Sequence, residues 1–155
     1  MINKSKQYKG SGNPNWKGGI MKDRNGYIYK YAPDHPFAQH HGYVMEHRLV
    51  MEKHLGRYLQ PNEFIDHKDR VVSNNQLENL RLCTLSQNQW NRLKQKNNTS
   101  GYKGVSWHKQ GKKWRAIIQI YYKYINLGLF PTKEEAASAY NEAAKKYHGE
   151  FANVS

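Results

Sequence analysis

The chain has 155 residues, and its 25 Lys and Arg against 12 Asp and Glu give a formal net charge of +13. That length allows one ordinary domain or two small ones with thin cores, and so large a single-sign excess points to a polyanion held through phosphate contacts. One cysteine, Cys83, excludes an intramolecular disulfide and a cysteine-rich zinc ribbon; Met1-Ile-Asn-Lys begins no signal peptide and no apolar run approaches membrane-spanning length, so a cytoplasmic protein without a membrane partner is expected.

Residues 1–25, with Lys4, Lys6, Lys9, Lys17 and the Asn13-Pro-Asn-Trp-Lys-Gly-Gly run, are basic and glycine-rich and read as a flexible arm, with Trp16 favouring one that docks. Gly26 to Tyr31 alternates like a short strand, and Tyr43 to Leu55 reads as a helix closed by Gly56. Arg48 or Lys53 on that helix is placed to meet a phosphate. Five histidines, His35, His40, His41, His47 and His54, crowd this stretch, but their spacing matches no zinc-ligand pattern.

The densest chemistry follows, in Phe64-Ile-Asp-His-Lys-Asp-Arg70, Asn74-Asn75-Gln-Leu-Glu-Asn79-Leu80 and Ser86-Gln-Asn88-Gln-Trp90. Asp66 is a hard oxygen ligand of the kind magnesium prefers, and His67 can take a proton near neutrality. Neighbours in a strand face opposite ways, so the two share a site only where the strand ends and the chain bends. The polar run to Asn75 suits such a bend, Leu77 to Leu82 reads as the returning strand with Leu80 and Leu82 alternating against Asn79 and Arg81, and Asn79 faces back across the loop. Thr84-Leu-Ser-Gln87 has capping-box spacing, so a helix opens there and runs to about Lys94 with Asn88 in its first turn.

These residues resemble the HNH endonuclease motif in its phage and intron homing-endonuclease form, over roughly Tyr27 to Lys94. The resemblance implies a ββα-metal fold in which His67 is the general base, Asn79 holds the loop that aims it, and Asp66 and Asn88 bind Mg2+ or another divalent cation such as Mn2+. Arg70 departs from the glycine the family commonly carries in that turn.

Gln95 to Ser100 is polar and aperiodic, and marks a boundary. Beyond it Tyr102–His108, Trp114–Tyr121 and Lys123–Leu129 read as three strands with a tight turn near Tyr122. Trp114, Ala116, Ile118 and Ile120 make one apolar face, Arg115, Ile117, Gln119 and Tyr121 the other, and Trp107 and Trp114 are expected in the core. A capping box at Thr132 opens a helix whose Ala136, Ala139, Tyr140, Ala143, Ala144 and Tyr147 recur at helical spacing before Gly149. Tyr102-Lys-Gly-Val105, Trp114-Arg-Ala116, Leu127-Gly-Leu-Phe130, Glu135-Ala-Ala-Ser-Ala-Tyr140 and His148-Gly-Glu-Phe-Ala-Asn153 resemble the recurring blocks of the plant APETALA and ethylene-response-factor DNA-binding domain. That resemblance implies a sheet lying in the DNA major groove, with Lys103, Ser106, His108, Arg115, Ile117 and Gln119 at bases and phosphates and Lys112 or Lys113 near the backbone. Ser106, His108 and Gln119 stand where the plant domains often carry arginine, so the plant target sequence does not transfer.

The expectation is therefore an α+β protein: an arm over 1–25, a ββα-metal nuclease domain over 26–96, and over 100–155 a three-stranded antiparallel sheet packed on one helix. It would act as a monomeric, site-directed endonuclease on double-stranded DNA in a bacterial or phage-infected cell. The alternative is a non-cutting DNA-binding regulator that keeps a degenerate HNH fold.

Overall fold

A computed structural model describes residues 12, 16, 18–39 and 41–154. Lys4, Lys6, Lys9, Asn13, Lys17 and His40 lie outside the described residues. The chain forms two compact units, Met1–Asn62 with Val71–Leu80, and Glu63–Arg70 with Arg81–Ser155.

In the first unit β1 (Ile20–Lys22), β2 (Ile28–Tyr31) and β3 (Tyr43–Met45) form an antiparallel sheet in that order. Asp23 makes the first turn by accepting from the amides of Asn25 and Tyr27, both at 2.9 Å. Two expectations are corrected. Ile20–Lys22 is a paired strand, not part of an arm, and Trp16 packs edge-on against Tyr31 at 5.0 Å. Tyr43–Met45 is a strand rather than the first turn of a helix, because aromatic and β-branched side chains pair with β2 and bury Val44 to 2% exposure. The helix α1 is Glu46–Leu55, closed by Gly56 at φ +66°. Arg48 donates to the carbonyls of Leu59 (2.8 Å) and Gln60 (3.1 Å), so this expected phosphate contact is used to pin the chain after α1. His35 pairs with Glu52 at 2.8 Å, and Glu52 also accepts from the Leu59 amide.

The second unit holds β4 (Phe64–His67), which pairs with β5 (Leu80–Cys83), then α2 (Leu85–Asn91), the antiparallel sheet β6 (Val105–His108), β7 (Lys113–Ile120) and β8 (Lys123–Phe130), and α3 (Lys133–His148). The returning strand starts later than expected, because Leu77–Asn79 winds into a 3-10 turn. Leu80 is buried and Leu82 is 37% exposed, while Arg81, on the alternate face, has a side chain only 12% exposed. α2 has its capping box, with Gln87 N–H on Thr84 Oγ1 at 3.2 Å and Thr84 N–H on Gln87 Oε1 at 2.8 Å, but stops at Asn91.

Val105, Ala116 and Ile118 pack with Ala136, Ala137, Tyr140, Ala143 and Ala144 of α3, whose small side chains let helix and sheet approach closely. At Gly104 a Cβ would lie 2.2 Å from the Tyr140 ring, so only glycine at φ +72° admits that approach. The buried stripe of α3 includes Ala137 and His148, whereas Tyr147 is 43% exposed. Trp107 is likewise 46% exposed, stacking edge-on against Trp114 at 5.2 Å from the sheet's outer strand. The fold is thus α+β with a three-stranded antiparallel sheet on one helix. The compact units do not part at Gln95–Ser100, because β4, β5 and α2 are grouped with the three-stranded sheet.

Candidate active site and nucleic-acid face

β4 ends at His67, where the Arg70 amide donates to the His67 carbonyl at 2.9 Å and closes the turn. Arg70 takes φ +66°, the left-handed conformation for which a glycine would be the relaxed choice. Asp66 and His67 are 4% and 5% exposed. Burying a carboxylate requires charge and hydrogen bonds around it, and Asp66 has both. Arg81, across the strand pair, donates from Nη2 at 2.7 Å and Nε at 2.9 Å to Oδ2. Asn91, at the end of α2, donates from Nδ2 to Oδ1 and Oδ2, both at 3.0 Å, and to the His67 carbonyl at 2.9 Å.

Asn88 lies one turn before Asn91 on α2 and is partly buried. Its backbone reaches the sulfur of Cys83, and burial first, then the nearby Asp66 charge, pushes that thiol up to about 12. Cys83 therefore stays protonated. In the loop, Asn79 donates from Nδ2 to the Asn74 carbonyl at 2.8 Å, and Asn75 donates to Glu46 at 2.7 Å. Lys30 at 2.8 Å, with Asn75 assisting, holds the Glu46 carboxyl below its ordinary range.

Sequence reasoning named Asp66, His67, Asn79 and Asn88 but passed over Arg81 and Asn91. A second asparagine three places after Asn88, on the same helical face, was the available signal for Asn91, while nothing local marks Arg81. Among the described residues no group of three or more His, Cys, Asp or Glu side chains is poised to hold a metal. Asp66 Oδ1 accepts, among the described residues, only from Asn91, and Asn88 lies one turn earlier on the same helix. Two hard oxygens, with water and a phosphate completing the shell, suit magnesium or manganese better than zinc.

On the three-stranded sheet, alternation against buried Val105, Ala116 and Ile118 leaves Ser106, Arg115, Ile117 and Gln119 on the face away from α3. The register sets Ser106 beside Arg115, Arg115 beside Leu129, Ile117 beside Asn126 and Gln119 beside Tyr124. Tyr124 is 72% exposed, so this face is open. A cleft of about 680 Å3 borders it, lined among others by Arg92, Lys94, Asn98, Ser106, Ile117 and Gln119. His108 accepts from the Gly111 amide at 3.0 Å, Lys112 sits in the β6–β7 turn at φ +46°, and Lys113 is exposed beside it. Lys103 also lines this cleft, but its ammonium donates to the carbonyls of Trp90 (2.5 Å) and Arg92 (2.6 Å). Burial, with Arg70 and Arg92 adding repulsion, lowers it to about 8.

Residues 44–90 match the family model described as HNH endonuclease, and residues 100–150 match that described as AP2 domain. The chain is similar to Protein 3.8 of Escherichia phage T7, 38% identical over 89 residues that span 57% of this chain and 73% of that protein. It is 35% identical over 91 residues to an uncharacterised HNH endonuclease of Acanthamoeba polyphaga mimivirus, across 57% of this chain and 45% of the other. A third likeness, 44% over 52 residues, is to an ethylene-responsive transcription factor of Arabidopsis thaliana, across 32% of this chain and 12% of that one. The chain belongs to the HNH endonuclease family and carries an AP2 domain after its HNH segment. It thus combines the domain of a nuclease with a domain shared with transcription factors, and among the described residues no helix is long and apolar enough to cross a membrane.

Proposed function

We propose that the protein is a site-directed, metal-dependent DNA endonuclease of homing type, in which the HNH segment cuts double-stranded DNA and the AP2 sheet reads it. The supporting observation is the convergence of Asp66, His67 and the helix that carries Asn88 and Asn91 on one buried corner, at the strand end the chemistry requires. His67 takes the proton of the attacking water as the new oxygen–phosphorus bond forms and the bond to the 3′ oxygen breaks. Asp66 and Asn88 would hold Mg2+ or Mn2+, which when bound polarises the scissile phosphate and stabilises the leaving oxygen. Asn79 fixes its loop through the Asn74 carbonyl. Arg81 puts a positive charge on the Asp66 carboxylate at 2.7 Å, so a cation there is opposed by Arg81 and favoured once phosphate arrives. Metal and DNA therefore bind together.

Ser106, Arg115, Ile117 and Gln119 read base edges from the open face, and Lys112 and Lys113 contact the backbone. The chain works as a monomer in the cytoplasm of a bacterial or phage-infected cell, with cutting placed before Gln95–Ser100 and reading after it. The same Arg81–Asp66 pair favours a second reading, a DNA-binding regulator whose carboxylate is permanently occupied. Asp66→Asn and Asn88→Ala separate the two. Under the nuclease reading each variant loses most duplex cleavage in Mg2+ and keeps DNA affinity; cleavage undiminished in both, or absent from the parent chain, removes it.

A further inference from the structure

α2 has only seven residues, Leu85–Asn91, and carries both site asparagines. A helix that short is marginal alone, and its last carbonyls have no partner within it. Lys103 in the AP2 segment and Asn153 just after it take them. Lys103 donates to Trp90 and Arg92, and Asn153 donates from Nδ2 to the carbonyls of Asn91 at 3.1 Å and Arg92 at 2.8 Å. The Trp90 ring lies flat on His148 at 4.4 Å, the residue that ends α3. Asn153 is 6% exposed, and its Oδ1 accepts from Arg70 Nη1 at 2.8 Å. Arg70 is the residue held in the left-handed turn directly after Asp66-His67. One amide near the end of the chain thus ties the turn that follows β4 to the end of α2.

We infer that Asn153 is a positioning residue for the cutting reaction, fixing the C-terminal end of α2 and the turn after His67 to each other so that Asn91 stays on Asp66. Asn153 touches no reacting group. Arg70 keeps its left-handed conformation while its Nη1 donates to the Asn153 Oδ1 at 2.8 Å. Cutting in this protein then requires the AP2 segment in the same chain for more than DNA recognition.

The inference rests on the nuclease reading, and the test keeps the two apart. The full chain is compared with Asn153→Asp, which keeps size and the Arg70 bond but puts oxygen against two carbonyls, and with Arg70→Gly, which removes the anchor at a position where glycine is relaxed. Nicking rate at saturating duplex, duplex affinity in EDTA, and hydrogen exchange of the Asn91 side-chain amide are measured. Asn153→Asp is expected to nick ~10–100-fold more slowly, the scale of a misplaced reacting geometry, with affinity within about twofold and faster Asn91 exchange; Arg70→Gly should show a smaller loss in the same order. Parent-like nicking and exchange in both variants overturn the inference alone, and so does a loss of affinity that matches the loss of rate, which marks a merely structural role. A parent chain that never nicks in Mg2+ or Mn2+ removes the nuclease reading, and the inference with it.

Discussion

Replacing Arg81 by Met leaves the Asp66 carboxylate buried with its charge uncompensated. The pair has side-chain exposures of 12% and 5% and two contacts of 2.7 and 2.9 Å, so it is an interior pair and not a surface one. Breaking a buried pair from one side costs about 3–5 kcal/mol. Asn91 still donates to both carboxylate oxygens at 3.0 Å, which places the expected loss near the lower end, about 3 kcal/mol. Part of that loss is packing, because the guanidinium lies 3.7 Å over the buried Phe151 ring. A double-mutant cycle separates the two, since Asp66→Asn removes the charge without the packing. Urea unfolding of Arg81→Met, Asp66→Asn and the double variant is the assay. The double variant should recover at least ~1.5 kcal/mol relative to the sum of the single losses, the lower range for a hydrogen bond to a charged group. A loss under ~1 kcal/mol for Arg81→Met, in the range of exposed pairs, or strict additivity, would refute the argument that Arg81 neutralises the site's carboxylate.

Burial first, with Lys103 repulsion adding to it, lowers His148 below its ordinary value despite the bond to the Gln119 carbonyl at 2.8 Å. The unfolded chain then binds more protons as the histidine range is entered, so stability holds above about pH 6.5 and falls as pH drops through the lowered value, a fall that His148→Phe should blunt in acid denaturation. Lys103, lowered from 10.5 to about 8, acts at the other end: between those values the unfolded chain keeps a proton the folded one has lost. Stability should rise with pH across that window, and Lys103→Met should flatten the rise in thermal melts at pH 8 and pH 10. Arg115→Ala and Gln119→Ala should narrow the gap in cleavage between preferred and random duplexes more than they lower the maximal rate, as expected of residues that read bases; an unchanged gap assigns reading elsewhere.

The corner built by Asp66 and His67 was legible because its signals are local: a strand that must end, a polar turn, and a capping box within a few residues. The AP2 half was legible for a related reason, since period-2 alternation in β7 and small residues along α3 state which faces meet. Tyr43–Met45 was misread because a three-residue apolar run preceding a helix carries no period of its own, and pairing with β2 decided it. Arg81 was not legible at all. Its partners, Asp66 and Glu150, lie 15 and 69 positions away, and nothing in Leu80-Arg-Leu-Cys83 distinguishes a strand whose charged residue points inward. Lys103 was expected at DNA because the resemblance implies it by position, and the unsatisfied carbonyls that claim it become visible only once α2 is known to stop at Asn91.

The central claim is that Asp66 and His67 form a working hydrolytic site, and nicking of a supercoiled plasmid tests it most directly. Parent protein should convert plasmid to relaxed or linear DNA in Mg2+ or Mn2+ and stop when EDTA is added. His67→Ala should lose at least ~100-fold of that rate, as expected when a general base is removed, while binding duplex within about twofold of the parent. A His67→Ala protein that cuts at the parent rate, or parent cleavage undiminished in excess EDTA, would contradict the account.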